Sequence, residues 1–146
     1  MINIQFEKGG KIMPFINLKL VKGQVSAEQK LKLVEGITDL VVGIMGRDRN
    51  YTVITVDELE ASQWAVGGKL INADSDKTVS FLNIKVSKGT TNPEEIENMM
   101  HAVRRLMTDV LGSCHETNYF IIDELNPDAW GYDGIPMTTR RRMNEQ

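Results

Sequence analysis

The residues of this chain that could do chemistry come in pairs set 66 positions apart: Lys22 and Lys88, Asp57-Glu58-Leu59 and Asp123-Glu124-Leu125, Trp64 and Trp130. Carboxylates can move protons or activate water, ammonium groups can hold an anion, and indoles can wall off a small ligand. Each has a plainer reading too. A lysine at a strand end is ordinarily solvated, and a tryptophan can simply pack an interface. Cys114, the single cysteine, has no disulfide partner and reads as a half-buried thiol rather than a nucleophile. His101 sits among Glu97 and Arg104 on a helix and His115 follows a helix end; neither has the partners of a metal site. Arg140-Arg141-Arg142 reads as a solvated tail, or as the source of one arginine folded over a neighbouring site. No glycine-rich phosphate loop and no Ser-His-Asp set is visible.

The same offset aligns Phe15-Ile16-Asn17-Leu18-Lys19 with Phe81-Leu82-Asn83-Ile84-Lys85, and Gly46 with Gly112. The chain is therefore two fused copies of one small module. We divide it into a leader or extra strand (1–12), a first repeat (13–70), a linker (71–77), and a second repeat with a basic tail (78–146). Ile16, Leu18 and Leu20 alternate with polar residues as in a half-buried strand. Ser26 and Gln29 have the spacing of a capping box, Leu33, Ile37, Leu40 and Ile44 recur at helical spacing, and Gly46 is placed at C′. Thr52 to Val56 then predicts a second strand. In copy two, Asn92 and Pro93 open a helix, Ile96 to Leu111 form its apolar stripe with methionines as core filler, and Tyr119 to Ile122 is the last strand.

Each copy is thus a right-handed βαβ unit with exposed sheet edges. Two such units can pair edge to edge about a pseudo-twofold axis. The expected fold is α+β: a four-stranded mixed sheet with two helices on one face. The opposite face, carrying Asn17 and Lys19, is left for oligomerisation. A net charge of −3 over 146 residues argues against nucleic acid. No apolar run approaches the roughly 20 residues of a membrane span and no signal-peptide core appears, so a cytoplasmic protein with no membrane partner is expected.

Met13-Pro14-Phe-Ile-Asn-Leu-Lys-Leu, Ser26-Ala-Glu-Gln-Lys30, Val56-Asp-Glu-Leu59 and Trp64-Ala-Val-Gly-Gly68 resemble 4-oxalocrotonate tautomerase, and copy two resembles the same subunit. The length is similar to that of fused tautomerase-superfamily members, including the cis-3-chloroacrylic acid dehalogenase group. The resemblance implies a tautomerase/MIF-like β-α-β sandwich, a homotrimer with inward-facing sheets, and no cofactor. It implies a small carboxylate substrate and an N-terminal proline amine, here Pro14, as general base and then acid. An α-amino group titrates near pH 8 and is pushed lower by burial and nearby cations. The family's arginine after the first strand is replaced here by Lys22 or, in copy two, Lys88 beside Thr90. Its second-strand arginine becomes Val53 in copy one and Tyr119 in copy two, and Trp64 takes the aromatic wall. Copy two has Ser80 where copy one has Pro14, so at most one base is present.

Three functions follow from the resemblance: a cofactor-free tautomerase of a 2-oxo or enol acid, a hydrolytic dehalogenase on a 3-substituted acrylate, or a catalytically silent oligomer. Dehalogenation needs a water-activating carboxylate, with Glu58, Glu124 and Asp123 as candidates. Residues 1–12 decide whether Pro14 is an amine or an amide. Lys8-Gly9-Gly10 can be encoded as AAA-GGA-GG, a ribosome-binding core just before Met13. Alternatively, Ile2, Ile4 and Phe6 alternate as an added strand.

Overall fold

The computed structural model describes residues 14–145, so the leader or strand expected at residues 1–12 lies outside the described residues. The first repeat is β1 (Phe15–Val21), α1 (Ala27–Gly43), β2 (Val53–Leu59) and the hairpin β3 (Ala65–Val66) and β4 (Lys69–Leu70). The second is β5 (Ser80–Ser87), α2 (Pro93–Leu111), β6 (Phe120–Leu125) and the hairpin β7 (Gly131–Tyr132) and β8 (Ile135–Pro136). A last helix, α3 (Met137–Glu145), follows.

The main sheet runs β2-β1-β5-β6, parallel within each repeat and antiparallel at the central β1–β5 seam. Asn17 pairs with Asn83, its own counterpart in the repeat. An approximate twofold axis therefore passes between them, as edge-to-edge pairing of the copies requires.

One sheet face and both helices share a single core. Ile16, Leu18 and Leu20 from β1 and Leu82, Ile84 and Val86 from β5 meet Leu33, Ile37 and Val41 of α1 and Met99, Val103 and Met107 of α2. Each such side chain stabilises by about 1.5–3 kcal/mol when fully buried. The helices touch closely at Gly36, where a Cβ would stand 2.6 Å from Leu106 Cδ1. Ser26 and Gln29 cap α1 reciprocally, and the Asn92 side chain accepts from the Glu95 N–H at the start of α2. Each cap is worth about 1 kcal/mol.

Some local expectations shift. The cap of α1 is Ile44, and Gly46 follows two residues later with φ +68°. Both outer strands run three residues further than expected, through Leu59 and Leu125, because Asp57 and Asp123 pair with lysines on the neighbouring strand. Met100 is 40 % exposed rather than core filler, since it lies a helical step away from buried Met99. The basic tail is part of α3, and Met137 at its start is buried.

The other sheet face carries two copies of one polar cluster. Lys19 Nζ and Asn17 Nδ2 reach Asp57 Oδ2 at 2.9 and 3.1 Å. Lys85 Nζ and Asn83 Nδ2 reach Asp123 Oδ2 at 3.1 and 2.9 Å. No helix among the described residues is long and apolar enough to cross a membrane.

Candidate active site

Pro14 precedes β1 and is buried, at one end of the central seam. Because β1 and β5 are antiparallel, Phe15 pairs with Lys85 near the far end of β5. The start of the first repeat therefore meets the end of the second. A cavity of about 390 Å³ opens there, lined by Pro14, Lys85, Trp130, Tyr132 and Met137 from that junction and by Tyr51 and Val53 from the approach to β2. It can admit a small, partly apolar molecule.

Its walls are held from behind. Trp130 Nε1 donates to Ser87 Oγ at 3.0 Å, and the Thr90 hydroxyl donates to the Ser87 carbonyl at 2.6 Å. Arg47, 3 % exposed, donates through Nη2 to the Thr90 carbonyl and hydroxyl oxygens at 3.3 and 3.2 Å. Burial pulls the Arg47 pKa down to about 10, with the Glu95 carboxylate acting the other way. Gly131 has no room for a side chain, since a Cβ there would overlap the Ile135 carbonyl oxygen. The Tyr132 and Tyr51 rings lie 5.4 Å apart, centroid to centroid. Burial raises the Tyr132 pKa, with the Arg140 guanidinium pulling against it.

Lys85 is, among the described residues, the cation that lines the cavity, and its charge is answered by Asp123 and by Asn83 Oδ1 at 2.6 Å. Among the described residues, no Asp or Glu side chain lines this cavity. Glu58 pairs with Lys30, Glu124 accepts from the Thr91 hydroxyl, and Asp123 holds Lys85 on the open sheet face.

The expected site residues divide sharply. Pro14 lines the cavity, whereas Lys22, Trp64, Lys88 and Tyr119 do not. Lys22 and Trp64 follow the carboxyl ends of β1 and β2, a strand's length from Pro14, and Lys22 Nζ lies 3.1 Å from Glu60 Oε1. Lys88 is exposed just beyond β5. Tyr119, 70 % exposed, lines a second cavity of about 610 Å³ beside Ser80, Cys114 and His115. Burial pushes the Cys114 thiol's pKa up, with Arg104 acting against it, which disfavours the thiolate a nucleophile needs.

Trp130, Lys85, Tyr51, Tyr132 and Met137 were not singled out for the site from sequence. The signal for Trp130 was present: antiparallel pairing of the repeats carries the tryptophan of copy two, not copy one, to Pro14. At the pseudo-equivalent positions Ser80 replaces Pro14, Thr117 replaces Tyr51, Val66 replaces Tyr132 and Ile71 replaces Met137.

A family model described as "Tautomerase enzyme" matches residues 14–74. A probable tautomerase of Dickeya dadantii is 41 % identical over 59 residues, covering 40 % of this chain and 88 % of that protein. The 2-hydroxymuconate tautomerase of Bacillus subtilis is 32 % identical over 60 residues, covering 41 % of this chain and 95 % of its own length. These relatives correspond to one repeat. Among solved structures, a native fused 4-OT has a TM-score of 0.75 at 15 % identity, covering 85 % of this chain and 96 % of its own. A fused 4-OT symmetric trimer has a TM-score of 0.74 at 16 % identity, covering 86 % and 97 %.

Proposed function

The chain belongs to the tautomerase family, and from that premise we propose that it interconverts the enol and keto forms of a small 2-oxo carboxylic acid in the Pro14 cavity. The observation that carries this reading is that buried Pro14, just ahead of β1, lines a cavity together with Lys85, Trp130 and Tyr132. When the chain begins at Pro14, its nitrogen is a secondary amine. It takes the enol hydroxyl proton and returns it to the adjacent carbon, leaving the ketone; the proton count balances and no cofactor is required. Burial favours the neutral amine. The apolar walls limit water.

With Met13 still attached, the Pro14 nitrogen is an amide and has no basicity, so full-length chain is silent at this site. The absence of a lining carboxylate among the described residues favours proton transfer over hydrolytic dehalogenation, which needs one to activate water. We also propose assembly as a homotrimer through the open sheet face. Val53 and Phe15 are 49 % and 40 % exposed there, and fused 4-OT neighbours are described as trimers.

Phenylenolpyruvate ketonisation, followed by absorbance, tests the activity. Chain starting at Pro14 should turn over, full-length chain should not, and Pro14→Ala in the shorter chain should be slower. Equal rates for the shorter chain and its Pro14→Ala variant remove Pro14 from the mechanism.

A further inference from the structure

We infer that Arg140, on the terminal helix, receives the carboxylate of the substrate in the Pro14 cavity. This rests on the tautomerase reading of that cavity and names the group that holds the anionic end. The Arg140 guanidinium carbon lies 3.7 Å from the centroid of the Tyr132 ring, and Nη2 donates to the Tyr132 carbonyl at 3.2 Å. Tyr132 lines the cavity, as does buried Met137 one helical turn before Arg140. The helix is tied down by the Met137 N–H to the Trp130 carbonyl and by the Thr138 hydroxyl to Asp128. Helix, hairpin and cavity wall are one assembly.

The charge balance singles out Arg140. Lys85 lines the cavity but is neutralised by Asp123 at 3.1 Å. Arg49 is paired with Asp39, and Lys22 with Glu60. Arg47 is fully enclosed behind the wall. Among the described residues, no carboxylate lies within ion-pair distance of Arg140, and its Nε is buried without a hydrogen-bond partner. Arg140 does not itself line the cavity but stacks on Tyr132, which does, so a half-buried guanidinium stands one side chain behind the apolar wall and can grip a carboxylate with two N–H groups. Stacking on Tyr132 limits the orientations it must give up on binding. The first repeat has no such helix: after its hairpin the chain passes into residues 71–77. Among the described residues, this helix-borne cation has no counterpart at the Ser80 end, where Lys77 and Arg104 line the other cavity instead.

The test uses chain starting at Pro14, with Arg140→Lys, Arg140→Gln and Arg140→Ala, assayed on phenylenolpyruvate and on its methyl ester. Arg140→Ala and Arg140→Gln should raise KM for the acid at least tenfold, change kcat less than threefold, and leave the ester unaffected. Arg140→Lys should recover part of the loss. An unchanged KM for the acid, or equal losses on acid and ester, overturns the assignment; equal losses mark Arg140 as a prop for the helix. Binding of unreactive 3-phenylpropanoate, read by calorimetry, separates the two readings. If the parent chain lacks turnover yet binds this anion in an Arg140-dependent way, the base assignment falls and the anion site stands. If binding ignores Arg140, the anion site falls whatever the turnover.

Discussion

Phe15 and Lys85 face each other across the antiparallel β1–β5 seam, next to Pro14. That register sends the end of the second repeat to the beginning of the first. It determines that Trp130 and Tyr132, rather than Trp64, form the wall beside the proline.

Trp130→Ala should therefore lower kcat/KM for phenylenolpyruvate about 10–100-fold, as expected when a wall that excludes water and orients substrate is lost. Trp64→Ala should stay within about threefold of the parent chain. Steady-state kinetics on both variants checks this, and the reverse order would relocate the site.

The sheet, both main helices and their N-terminal caps were legible because periodicity, capping residues and the 66-residue offset all describe the same βαβ unit. The site was less legible. Reading copy one alone groups Pro14 with Lys22 and Trp64, which share its repeat but lie at the other end of the strands. Only the antiparallel contact between repeats brings Lys85 and Trp130 to Pro14. The docking of α3 had still weaker signals, because Met137 is one apolar residue in a basic tail. Arg47 was hidden for another reason: its counterpart is Ser113, so the repeat gives no hint that this arginine turns inward.

Gly131→Ala should destabilise the β7–β8 hairpin, since the new methyl group overlaps the Ile135 carbonyl and Pro136. A loss of about 2 kcal/mol is expected for backbone displacement of this kind, or roughly 4–8 °C in Tm for a chain of this size. Calorimetry should show that drop together with weaker turnover. Unchanged melting would mean that the hairpin accommodates the methyl group.

Stability should fall in acid through the two sheet-face aspartates. Hydrogen bonds from Lys19 and Asn17 hold the Asp57 carboxyl below its ordinary value, and those from Asn83 and Lys85 do the same for Asp123. Both pKa values are lower folded than unfolded. Their contribution is therefore complete above the ordinary aspartate value near 3.9 and is lost as pH falls through the lowered values. Urea titrations from pH 6 to 2 should show a shallower decline for the Asp57→Asn, Asp123→Asn double variant. Parallel curves would contradict this.

The open sheet face should carry the subunit contacts. Light scattering should give three times the 16.4 kDa chain mass. Ile121→Glu, which places a charge among apolar side chains of that face, should shift the mass toward a single chain. A parent chain of monomer mass would refute the assembly.

The central claim is that Pro14 is a proton-transferring amine, and its nitrogen can be followed directly. In chain starting at Pro14 and labelled with ¹⁵N-proline, the other prolines, Pro93, Pro127 and Pro136, are amides and do not titrate. The Pro14 resonance should titrate below the ordinary α-amino range of about 7.7–8.0. Its midpoint should coincide with the ascending limb of kcat/KM for phenylenolpyruvate. A nitrogen that titrates within or above that range, or a pH–rate profile that ignores its titration, would contradict the account.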